Sequence, residues 1–117
     1  MKMERKKELK QLYKQMKPEM GVFAVRALDD GKCYLQATPN LRAAINGTRF
    51  KLEAGSHPNR QLQKAWKERG AANFSFEILE KLAYEKDETK TDYSEELAIL
   101  QMMWEEKLAK EKISFFK

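Results

Sequence analysis

GVFAVRALDDGKCYLQATPNLRAAINGTRFKL, residues 21–52, reads as strand, tight turn, strand and helix. Residues 21–28 are apolar and β-rich. Asp29, Asp30, Gly31 and Lys32 supply the chemistry of a hairpin turn, and residues 33–36 return as a second strand. Pro39 sits where helices commonly begin, with Thr38 before it as a cap. The helix then carries Leu41, Ala44, Ile45 and Leu52 inward. The remainder of the chain is read as packing onto this unit.

One domain is the expectation for 117 residues, and a single core of that size forms without staples. One cysteine, Cys33, makes no internal disulfide, which fits a reducing compartment. No apolar run approaches the roughly 18–20 residues of a membrane span. The N-terminus is too charged for a secretion signal. A cytoplasmic protein is expected, without membrane partners. The net charge of +5 is uneven. Residues 1–20 hold seven Lys/Arg against three acids, residues 21–83 ten against six, and residues 84–117 six against nine. The basic part suits an anionic partner such as nucleic acid; solvated charge on soluble helices accounts for it equally well.

Before the hairpin, residues 3–16 read as a basic helix with Leu9, Leu12, Tyr13 and Met16 on one stripe, ended by Pro18. Residues 1–20 are therefore set apart from a domain over residues 21–117. After the first unit come a loop at 54–59 and a helix at 61–69, with Leu62, Ala65 and Trp66 inward and Gly70 as its stop. Residues 74–82 read as a third strand, with Phe74, Phe76 and Ile78 on a fully apolar face. Residues 84–93 are polar loop. Ser94 is the expected cap of a last helix, whose stripe is Leu97, Leu100, Trp104 and Leu108. Phe115 and Phe116 are expected to fold back or meet a partner.

The hairpin followed by a helix, with its aromatics so placed, resembles the GIY-YIG nuclease family over roughly residues 21–108. Gly21-Val22-Phe23 stands at the first motif and Tyr34-Leu35-Gln36 at the second. GSHPNRQLQKAW followed by FSFEILE is similar to the middle of short members. The resemblance implies a small α/β (α+β) domain, a three-stranded antiparallel sheet flanked by helices, here with an extra N-terminal helix. It also implies one divalent metal ion and hydrolysis of a DNA phosphodiester. In that scheme a motif tyrosine handles the proton of the attacking water, a helix arginine stabilises the phosphate, and a glutamate on the last helix holds the metal. Charge neutralisation and an oriented nucleophile are what such a reaction requires.

Carried over residue by residue, the first tyrosine falls on Phe23 and the second is kept as Tyr34. The second-motif glycine falls on Gln36, the arginine on Ala44, a histidine on Thr48 and the metal glutamate on Gln101. A carboxamide is a poor sole protein ligand for a hard dication. Glu105, four positions from Gln101 and on its face, is a minor substitute. Loss of one charge-stabilising donor commonly costs about 10²–10³ in rate, and here several are gone together. The substitutions predict a nuclease-like scaffold without its chemistry, and no cofactor. Mg²⁺ or Mn²⁺ enters only if relocated residues keep the nuclease active.

Arg42, Arg49, Lys51, Arg60, Lys64 and Lys67 are the expected nucleic-acid surface, with DNA the expected partner. His57, the only histidine, lacks a second ligand nearby and is read as a structural loop residue. Cys33 falls opposite Tyr34 by strand alternation, as a small buried hydrophobe. Trp66 and Trp104 are read as packing. Three functions compete: a nucleic-acid-binding relic, an active endonuclease, and a protein-interaction module that kept only the fold.

Overall fold

The computed structural model describes residues 17–117; the helix expected over 3–16 lies outside them. Six elements follow one another: β1 (Met20–Ala27), β2 (Cys33–Thr38), α1 (Leu41–Ala54), α2 (Arg60–Arg69), β3 (Phe74–Leu82) and α3 (Ser94–Lys110). One turn of 3₁₀-helix, Ala71–Asn73, leads into β3. The sheet is antiparallel in the order β2-β1-β3, so the most apolar strand is central. This is the α+β architecture expected from the sequence.

The hairpin closes through Ala27 N–H to Lys32 O at 2.9 Å and Gly31 N–H to Ala27 O at 3.0 Å. Asp30 supports it by accepting from Lys32 N–H at 2.9 Å. Arg69, at the end of α2, reaches Asp29 and Asp30 at 3.0 and 3.2 Å and fastens that helix to the turn. The Lys32 N–H, followed by the Arg69 charge, holds the Asp30 carboxyl below its ordinary range.

Alternation along β1 splits the core. Phe23, Val25 and Ala27 face α1 and α2, packing with Leu41, Leu52, Leu62 and Trp66. Val22 and Ala24 face α3 with Cys33, Leu35, Leu100 and Leu108. Cys33 is fully buried there, as alternation predicts. Gly21 is required by close approach, since a Cβ would lie 2.0 Å from Glu80 O. Gly55 ends α1 at φ 78°, a left-handed conformation suited to glycine.

Two expected caps are replaced. Asn40, not Thr38, caps α1 by accepting from Ala43 N–H at 3.0 Å; Thr38 Oγ1 instead accepts from Asn40 N–H. Ser94 does not cap α3: it is the first helical residue, Tyr93 stands at the cap without a side-chain bond, and Asp92 accepts from Ser94 N–H. The face of β3 is less apolar in its role than in its sequence. Its register against β1 shifts between Val22 and Phe23, so Leu79 is the extra residue and turns towards α3. Phe74 and Phe76 lie against Trp66, but Ile78 is 47% exposed. At the other end, Phe116 is buried beside Phe74, and Phe115 bridges Cys33 in parallel at the outer edge of β2. The aromatic tail thus folds back.

Candidate nucleic-acid interface

The register sets the site. Phe23 pairs directly with Gln36 and with Ile78; Val25 pairs with Tyr34 and Phe76. Phe23 and Tyr34 are therefore diagonal neighbours on one face rather than opposite partners. Phe23 is completely buried, and Ala44 of α1 packs against the same cluster. One turn on, Thr48 is also buried. The positions where the resemblance places an arginine and a histidine are filled by small side chains absorbed into packing.

Tyr34 keeps its phenol but not a free one. Its hydroxyl donates to Gln36 Oε1 at 3.1 Å, so the residue that replaces the motif glycine engages the surviving tyrosine. Burial pushes the Tyr34 pKa up. The group is held as a protonated hydrogen-bond donor, the reverse of what an activated phenolate needs.

His57 packs edge-to-face on the Tyr34 ring, with centroids 5.1 Å apart. It is 7% exposed, and its Nδ1 accepts from Asn59 N–H at 3.0 Å. That bond assigns the proton of the neutral ring to Nε2. Desolvation pulls its pKa down, keeping the ring neutral. Its backbone N–H donates to Gln63 Oε1, and Gln63 Nε2 donates to Leu52 O, so the loop is tied to both helices. The expected structural role is thus visible. The contact with Tyr34 is new, because the two residues meet only once α1 has folded back between them.

Gln101 lies in the layer on the other side of the sheet. Its Oε1 accepts from Ala37 N–H at 2.8 Å, and its Nε2 donates to Glu105 Oε1 at 2.9 Å. The amide therefore fastens α3 to the edge strand β2. Tyr34, Gln101 and Glu105 line one small cleft of about 270 Å³ with Phe115 and Phe116. The dication implied by the resemblance prefers carboxylate oxygens. Here the neutral oxygen is already accepting, and the neighbouring carboxylate is bonded to the amide. Among the described residues no group of three or more His, Cys, Asp or Glu side chains is placed to hold a metal ion. The donors present do not fit a metal centre.

The six expected basic residues all fall in the α1/α2 layer. Arg60, Lys64 and Lys67 line one groove with His57 and Trp66, of about 870 Å³. Arg42 and Lys51 are exposed on α1. Arg49 is exposed as well, but its guanidinium lies over the Phe76 ring, 4.6 Å from the centroid. Residues 41–69 hold seven Lys/Arg against two Glu, whereas α3 holds four Glu against two Lys. The sheet separates a cationic layer from an acidic helix. Among the described residues no helix is long and apolar enough to cross a membrane.

No protein-family model matches the chain, and no curated protein does. Solved structures do. The catalytic domain of the homing endonuclease I-TevI aligns with a TM-score of 0.65 at 22% identity, covering 84% of this chain and 98% of that one. A glutamate-to-alanine variant of the I-TevI catalytic domain, described as an intron endonuclease, aligns at 0.64 and 21% identity, covering 82% and 90%. At that identity the likeness establishes the fold: this chain has the GIY-YIG-type architecture of an endonuclease catalytic domain.

Proposed function

We propose that this protein is a nuclease-type scaffold that binds DNA through its α1/α2 layer and does not cleave it. The observation that carries the reading is the clustering of all six expected cations in one layer, three of them lining a single groove. The structural neighbours are catalytic domains of an endonuclease, which adds support for a nucleic-acid partner. Against cleavage stand a hydrogen-bonded, protonated Tyr34, a core-facing Ala44 and a Gln101 amide committed to Ala37 and Glu105. No cofactor is part of this reading.

Phosphate contacts dominate such binding, so it weakens steeply with salt and has little sequence preference. A gel-shift and plasmid-nicking assay at low and high salt, with and without Mn²⁺, tests it. Salt-sensitive shifting without nicking is the expected result. Metal-dependent nicking that disappears in Tyr34→Phe overturns the loss of cleavage and points to Glu105, which shares the cleft of Tyr34. Absence of shifting overturns the DNA reading. A protein-interaction role is then favoured by Ile99, Met102 and Met103, which leave an apolar stripe of α3 exposed.

A further inference from the structure

From the outer face of α1 we infer a stacking site for an unpaired base of single-stranded DNA, built on Phe50; this rests on the reading that the α1/α2 layer meets DNA. Phe50 is 71% exposed, more than any other large hydrophobic side chain among the described residues. It is also the one exposed large hydrophobic side chain between residues 41 and 69, the most cationic part of the described chain. No described side chain makes a ring or cation contact with it.

The helix places two different borders beside this ring. At about 100° per residue, Ala43, Gly47 and Ala54 fall on one side of Phe50; on the other come Asn46 and Glu53, with Arg42 and Arg49 farther round. The first border is a shelf without bulk; the second is polar, with Glu53 beside the ring and the cations Arg42 and Arg49 beyond it, Arg49 resting over Phe76. Gly47 sharpens the point. A Cβ added there meets nothing within 4 Å, so core packing does not require glycine. Glycine inside a helix is unfavourable relative to alanine by roughly 1 kcal/mol. Its presence keeps the shelf beside the ring clear. An exposed aromatic next to cations that track a backbone is how proteins hold single strands without reading sequence. Paired bases hide their faces, so a duplex gains only the phosphate contacts.

Fluorescence anisotropy with a labelled oligothymidine and a labelled duplex, using the full chain, tests the inference. Phe50 is exposed, so its replacement leaves the core intact. Phe50→Ala is expected to weaken single-strand binding by roughly 5- to 150-fold, the range of one lost stack, with duplex binding unchanged. Phe50→Trp is expected to restore it, and Gly47→Leu, which fills the shelf, to weaken it. Equal losses on both probes, or no loss on oligothymidine, overturn the stacking site while leaving salt-sensitive DNA binding in place. Tighter Phe50-dependent binding of oligouridine overturns the choice of DNA. A Phe50-dependent dimer in light scattering overturns the site in favour of a second copy. If the wild type binds neither probe at low salt, this inference and the proposed function both fall.

Discussion

Replacing Gln101 by Glu tests what that position does. In the wild type the amide oxygen accepts from Ala37 N–H at 2.8 Å and the amide nitrogen donates to Glu105 at 2.9 Å. Gln101→Glu keeps the acceptor and removes the donor. The lost hydrogen bond costs about 1 kcal/mol. Two carboxylates at 2.9 Å would repel by roughly 6 kcal/mol at an effective dielectric constant near 20. Both side chains are partly exposed, however, and they rotate apart towards water, which cuts the remaining repulsion to about 1 kcal/mol. The net loss is about 2 kcal/mol, near 8 °C in Tm for a 117-residue chain. Circular dichroism melts at neutral pH read it directly. The exchanged pair Gln101→Glu/Glu105→Gln restores one donor and one acceptor and should recover most of the loss. A pair no more stable than the Gln101→Glu single variant would refute the structural role assigned to this amide.

Gly21→Ala drives a Cβ against the β3 backbone and should cost more than about 3 kcal/mol, measured by urea unfolding or seen as loss of folded protein. Phe116→Ala removes a buried ring from the α1/α2 core and should cost about 3–5 kcal/mol in the same assay, against almost nothing if the tail is free. For His57 the folded pKa lies below its ordinary 6.5. The unfolded chain therefore binds the proton first as pH falls, and stability declines from about pH 6.5 downward through the folded pKa. His57→Asn can keep the bond to Asn59 N–H as an Asx turn while removing the titration, so its stability should be flatter across that window.

Strand order of appearance, the hairpin and the described helices were legible because each has a local cause: alternation in β1, turn chemistry at Asp29–Lys32, the stop at Gly70. The caps were less so. Thr38 and Asn40 are both competent, and only the bond from Leu41 N–H to Glu19 O and the geometry after Pro39 show that the helix starts later. Ile78 looked buried because period-two reading assumes an unbroken ladder, which the extra residue Leu79 interrupts. At the site, the motif positions of Phe23, Tyr34 and Ala44 were readable and do share one core face. The binding of Tyr34 by Gln36 and His57, and of Gln101 by Ala37, was not. The Tyr34–Gln36 bond lies within one strand but depends on side-chain rotamers that alternation does not specify, and the other two contacts join residues through tertiary closure, for which linear spacing carries no signal.

The division of charge across the sheet has an electrostatic consequence of its own. With cations concentrated in the layer of residues 41–69 and carboxylates on α3, the domain is a dipole across its thickness. In the field of a polyanion such a body experiences torque as well as attraction, so it turns its α1/α2 side forward before contact. The same polarity acts between copies. The basic side of one attracts the acidic side of the next, a head-to-tail arrangement that need not close on itself. The net charge of +5 opposes such association at long range, so the polarity governs how copies or ligands orient on approach, and physiological ionic strength, with a screening length of about 8 Å, confines that steering to near contact.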